Sequence, residues 1–225
     1  MIRVTVALLL ISYPVLVWLA LHQASPRMVA AGMIAVAAMA AGVARRSTDN
    51  LLSLVLKRFG ILVAFALVAV VFDDPLALKL LPAITHLWLL VTFAATLRQG
   101  PPLAEQFARR AHGGDLPAFV MPYTRKVTIV WCAFFAINAV VYTWLAVAAP
   151  LGAWAFYTGF GCYVLIFTLM AGEYVLHKVH FRYYEDGWDD RVWRKLFPPG
   201  RSERGRRTLA WQAARRSGTD PEAVR

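Results

Sequence analysis

The sequence predicts an all-α protein: a polytopic transmembrane helical bundle of six spans, with an interfacial helix on its cytoplasmic side. Three observations carry this expectation. The chain has 225 residues and is 59% hydrophobic but only 16% charged, whereas ordinary soluble domains run at about 45–50% apolar and about 25% charged. Its apolar residues come in long uninterrupted blocks, so lipid, and not an unusually large core, is the medium that covers them. Its basic residues alternate along the chain, and with six spans counted, 22 of the 24 Lys and Arg fall on one side. That asymmetry predicts a multi-pass protein of a bacterial-type inner membrane with both termini in the cytoplasm. The net charge of +11 would suit a nucleic-acid binder if it coated one soluble face. Gathered in loops and a tail, it points instead to membrane lipids with anionic headgroups, and no nucleic acid is expected as a partner.

The predicted spans cover about 4–21, 28–44, 59–72, 76–97, 127–149 and 153–176, which together make a transmembrane domain over 1–176. At about 1.5 Å of rise per residue, about 20 apolar residues cross a hydrocarbon core of about 30 Å. The first block, Val4 to Leu21, follows Arg3 and is longer than the apolar region of a signal peptide, so it reads as a retained anchor. The third, Phe59 to Phe72, is short, but Lys57 and Arg58 can snorkel and let Leu51 to Leu56 extend it. Asp73-Asp74-Pro75 and Pro150-Leu151-Gly152 form tight external turns. The connection after span four starts at Gly100-Pro101-Pro102, carries a short helical stretch from Leu103 to Ala111, and breaks at Gly113-Gly114, Pro117 and Pro122. Pro14 and Pro82 are candidate kinks, and Ala38, Gly42, Gly159 and Gly161 suggest close helix contacts. Cys132 and Cys162 sit at different depths of separate spans, so no disulfide is expected, and neither has metal or redox spacing.

A basic tail follows over 177–225. In it Trp188, Val192, Trp193, Leu196 and Phe197 recur at helical spacing, opposite Asp189, Arg191, Arg194 and Lys195. Acids in the first turn, bases in the last and Pro198-Pro199 as the stop predict an interfacial helix over 188–197. The remainder, Gly200 to Arg225, is basic and poor in large apolar residues, which predicts a mobile or loosely helical segment.

Polar groups inside a bilayer are costly, so each one in a span invites a role. His86 and Asn138 fall near mid-depth of spans four and five. They could line a substrate or proton path. The preferred reading is an interhelical hydrogen bond that fixes packing, worth about 1 kcal/mol, because a neutral His without an acidic neighbour makes a poor relay. Glu173, His177 and His180 share a helix face by their offsets of four and three. A carboxylate and two imidazoles could hold zinc or iron, with His112 or Glu185 completing the set. The competing and preferred reading pairs Glu173 with Arg125 or Lys126, leaves the imidazoles among headgroups, and expects no metal or other cofactor. His180 and Glu185, with four residues between them, faintly echo the His-and-acid pair of membrane glycerolipid acyltransferases, but no matching phosphate-binding motif follows.

The run Tyr123-Thr124-Arg125-Lys126-Val127-Thr128, then Trp131-Cys132-Ala133-Phe134-Phe135, Asn138, and later Gly172-Glu173-Tyr174 resembles an uncharacterised family of bacterial inner-membrane proteins. Members are often encoded beside ketosynthases, acyl carrier proteins and acyltransferases of aryl-polyene or related fatty-acid-like pathways. The likeness covers the second half of the chain and supplies no catalytic residues. It implies acyl or polyene lipid biosynthesis as context and singles out Tyr123, Thr124, Arg125, Trp131, Phe135, Asn138 and Glu173 for testing. The leading expectation is an accessory membrane protein, more a non-enzyme than an enzyme, that anchors or assists cytoplasmic enzymes. Acidic acyl carrier protein or lipid-biosynthetic enzymes would then be its partners. The alternatives are a small lipid transporter or flippase using His86 and Asn138, and an interfacial metal-dependent enzyme using Glu173, His177 and His180.

Overall fold

A computed structural model of the chain describes residues 75–111, 116–184 and 187–217. The expected spans at 4–21, 28–44 and 59–72, with their orientation signals, lie outside these residues. Every regular element among the described residues is helical. In chain order these are α1 (Pro75–Arg98), α2 (Leu103–Ala111), a 3₁₀ turn (Ala118–Val120), α3 (Met121–Ala148), α4 (Leu151–Phe156), a π-helical turn (Tyr157–Gly161), α5 (Cys162–Phe181), α6 (Trp188–Leu196), a second 3₁₀ turn (Pro199–Arg201) and α7 (Glu203–Ser217).

Three stretches are long and apolar enough to cross a membrane: Pro75–Arg98, Ala118–Ala148 and Leu151–Phe181. They contain the expected spans four and six and span five up to Ala148, and the last two are longer than composition implies because polar residues join the helices at one end. Their outward residues are the lipid-facing kind. Val91, Val140, Trp144, Val147 and Phe167 are all largely exposed, which a soluble fold would not tolerate over so many positions.

The chain divides into two compact units. The first comprises Met1–Val91 and Ala133–Val164. Its described core is Leu145, Ala146, Trp154 and Ala155. The Trp154 indole donates to the Lys79 carbonyl at 3.0 Å, one turn before the helix-interior Pro82, so an aromatic side chain joins α4 to α1 with its polar edge satisfied. Gly161 proves to serve its own helix. A Cβ there would come within 3.0 Å of the Tyr157 ring, so the glycine makes room for that ring inside the π turn.

The second unit comprises Thr92–Cys132 and Leu165–Arg225. Helix α1 ends in a turn at Gly100, whose φ of 96° only glycine adopts freely. The amide groups at the start of α2 then find side-chain acceptors: Leu103 donates to Thr96 Oγ1 at 3.0 Å and Ala104 to Thr128 Oγ1 at 3.2 Å. Threonines from α1 and α3 thus satisfy donors that a helix start leaves open. Within α2, Arg109 pairs with the buried Glu105 four residues earlier at 2.8 Å.

The tail departs from expectation. The segment predicted to be mobile or loosely helical contains the 15-residue helix α7, which places Thr208, Trp211 and Ala214 inward and exposes Arg204, Arg206, Arg207 and Arg215. Gly205 lies so close to the Pro199 backbone that a Cβ would overlap its carbonyl. The Thr208 hydroxyl donates to the Phe181 carbonyl at 2.8 Å, which satisfies an acceptor left open where α5 ends. At that end Arg182 has φ 53°, a left-handed conformation that costs a residue with a Cβ about 1–2 kcal/mol. Helix α6 spans Trp188–Leu196, in agreement with the amphipathic pattern. Its inner side carries Asp190, which forms a buried ion pair with Lys178, while Trp188, Val192 and Leu196 face outward.

Candidate functional site

Two groups of polar side chains stand out, one in each unit. In the second unit Tyr123 from α3 meets three candidates on α5. Its ring lies 6.2 Å from that of His177 and 6.0 Å, nearly parallel, from that of His180. Its hydroxyl reaches Glu173, at 3.4 Å from Oε1 and 3.5 Å from the backbone oxygen. Phe181 closes the group edge-on at 5.0 Å. The shared face deduced from the offsets of four and three is therefore present, with an aromatic residue as its centre.

The expected partner of Glu173 is different. Arg125 donates to the Leu97 carbonyl at 3.1 Å, and among the described residues no ion pair joins it to Glu173. The reason is rotational. Residues two apart on a helix point about 200° from one another, so the face of α3 that brings Tyr123 to Glu173 turns Arg125 elsewhere.

Among the described residues no three His, Cys, Asp or Glu side chains are grouped to hold a metal. His112 and Glu185, the candidate completing ligands, lie outside the described residues. The Arg204 guanidinium donates to His180 Nδ1 at 2.9 Å, which places a cation where a metal would compete for that lone pair. Arg204 belongs to α7, so the tail takes part in this cluster, a contribution that composition did not foretell.

The same unit holds a second arrangement beyond the end of α5. Tyr184 donates to the Phe197 carbonyl at 2.9 Å, and Arg182 Nη1 donates to the Pro198 carbonyl at 2.7 Å. Burial pushes the Tyr184 hydroxyl above its usual pKa. Tyr174 donates to Asp189 at 2.5 Å, and that hydrogen bond holds the Asp189 carboxyl below its usual range. Between α6 and α7 a cavity of about 910 Å³ opens, lined in part by Arg182, Arg194 and Arg215.

In the first unit, His86, Asn138 and Cys162 from α1, α3 and α5 come together and are all buried. The His86 Nδ1–H donates to the Pro82 carbonyl at 2.9 Å, which leaves Nε2 to face Cys162 Sγ at 3.8 Å. Asn138 donates to the Phe134 carbonyl at 2.9 Å and accepts from Tyr157 at 2.7 Å and from the Cys162 thiol at 3.8 Å. The Tyr142 ring lies 4.9 Å from that of His86. Sequence reasoning found His86 and Asn138 but neither Tyr157 nor Cys162 as their partners. The π turn adds a residue to one turn of the helix and so changes which side chains point inward. Among the described residues, one buried hydroxyl in that turn, Thr158 Oγ1, has no hydrogen-bond partner.

Comparison with protein-family models, with curated proteins and with solved structures gave no match for this chain.

Proposed function

We propose that the protein is an accessory component of acyl or polyene lipid biosynthesis, embedded in a bacterial inner membrane by six spans, whose tail receives an acidic acyl carrier protein or a carrier-bound enzyme at the cytoplasmic face. The observation that carries this reading is the seating of α7. Gly205, Thr208, Trp211 and Ala214 are spent on anchoring the helix, and Arg201, Arg206 and Arg207 stay exposed on it or just before it. A basic surface fixed to the end of a membrane helix can steer and orient an acidic protein, whereas a loose basic tail would supply attraction without orientation.

The alternatives draw less support. A transporter or flippase path through His86 and Asn138 would need groups poised to exchange partners, and both are satisfied by neutral neighbours from three helices. An enzyme at Glu173, His177 and His180 would need these groups free to act, whereas Glu173 accepts from Tyr123 and His180 from Arg204.

The test uses the full-length protein in lipid nanodiscs titrated with purified holo acyl carrier protein. Saturable binding is expected, weakening as salt rises. Changing Arg201, Arg206 and Arg207 together to Glu should reduce the affinity at least tenfold. Binding that ignores both salt and the charge reversal would refute the reading. Tags at Asp74 and Gly152 that report the cytoplasm would refute the six-span orientation.

A further inference from the structure

We infer that the cavity between α6 and α7 is a binding site for the phosphate of an anionic phospholipid headgroup, held at the membrane edge by Arg182, Arg194 and Arg215. This goes beyond carrier docking, because the site is a concave chamber and not the outer face of α7. It does not depend on the acyl-pathway reading.

Four features of the chamber support the assignment. Its volume of about 910 Å³ lies within the roughly 300–1,000 Å³ of small-molecule sites. Three guanidinium groups line it together with Trp211 and Gln212, and planar guanidinium forks match phosphate oxygens in a way that ammonium groups do not. The Arg215 guanidinium lies 5.4 Å over the Trp211 ring, and Gln212 donates to the Tyr184 carbonyl at 3.3 Å, so both α7 residues are set in place from within the protein. The fourth feature is Arg182 itself. It occupies a left-handed position at the end of α5, where Gly or Asn would sit without strain, and its guanidinium bonds the Pro198 and Val179 carbonyls. Strain of this kind persists where a particular side chain is wanted.

Location identifies the ligand. Arg182 follows Phe181, the last residue of the third membrane-long helix, about 9 Å by helix rise beyond the end of the expected span at 176, so the chamber falls at headgroup depth. Leu209 lines it and is half exposed, and Trp188 on the neighbouring helix is almost fully exposed. An apolar rim beside three cations suits an amphiphile with its phosphate inward and its chains outward. Glu185 and Asp186, which join Tyr184 to Gly187 in sequence, lie outside the described residues.

The test is binding of dihexanoyl phosphatidylglycerol to the full-length protein in neutral detergent, followed by calorimetry and by native mass spectrometry, with inorganic phosphate as the competing probe. One saturable lipid per chain is expected. Arg215→Gln should weaken its binding at least tenfold, and so should Arg182→Gly, which relieves the backbone while deleting the guanidinium. Arg98→Gln with Arg110→Gln, exposed bases away from the cavity, should change it less than twofold. Lipid binding that the cavity variants leave intact would overturn the proposal, as would equal losses from the cavity and control variants. Phosphate that binds at the cavity while the lipid does not would also overturn it and assign the site to a free phosphate. Loss of carrier binding with lipid binding retained, or the reverse, separates this site from the face of α7.

Discussion

The two polar clusters draw their partners from different places. Around His86, Asn138 and Cys162 every partner among the described residues is neutral and comes from the apolar helices themselves, including the backbone carbonyls of Pro82 and Phe134. Around Tyr123, Glu173 and His180 the groups are chargeable, and one of the contacts comes from α7 in the tail. The contrast follows from the cost of burying charge. Neutral groups can be satisfied pairwise at about 1 kcal/mol or less per bond. An ion needs a counter-ion or several donors. In the second unit Glu173 receives the Tyr123 hydroxyl, and α7 folds back onto the end of α5 to bring Arg204 to His180 and Thr208 to the Phe181 carbonyl.

The largest effect expected from this contrast is at Lys178 and Asp190. Their buried ion pair joins α5 to α6, and removing one partner leaves the other charge uncompensated. Lys178→Ala should lower stability by about 3–5 kcal/mol, and Lys178→Met with Asp190→Leu should cost less than either single change. Thermal unfolding in detergent measures this, and equal costs for single and double variants would show that the pair does not hold α6. A smaller loss is expected from Thr208→Val, which removes the hydroxyl from the Phe181 carbonyl at about 1–3 kcal/mol. Limited proteolysis should then cut within 203–217 faster than in the unaltered protein, and an unchanged rate would mean that α7 is seated without that bond. The smallest is Asn138→Leu in the first unit, where shared neutral partners predict about 1 kcal/mol. A loss as large as that at Lys178 would erase the distinction between the two clusters.

Much of the helical content was legible before any coordinates. Hydropathy gave the three long helices that the structure describes, because a run of apolar residues long enough to cross a bilayer has few other ways to satisfy its backbone. The amphipathic spacing of Trp188, Val192 and Leu196 gave α6, and the Gly100-Pro101-Pro102 break gave the start of α2. The seating of α7 has a signal in the sequence: Gly205, Thr208, Trp211 and Ala214 recur every three residues, a stripe obscured by the arginines between them.

Sequence alone, then, determined that these segments are helices, that three of them can cross a membrane, and which polar residues they carry. Hydropathy and periodicity are local quantities, and one chain is enough to read them. Which polar residue meets which was decided only by tertiary structure. Helix rotation gave Glu173 to Tyr123 and not to Arg125, and the π turn at Tyr157–Gly161 sent Tyr157 and Cys162 to Asn138. Rotation about a helix axis changes the partner of every side chain while leaving composition, depth and hydropathy untouched, so nothing in the linear pattern records it.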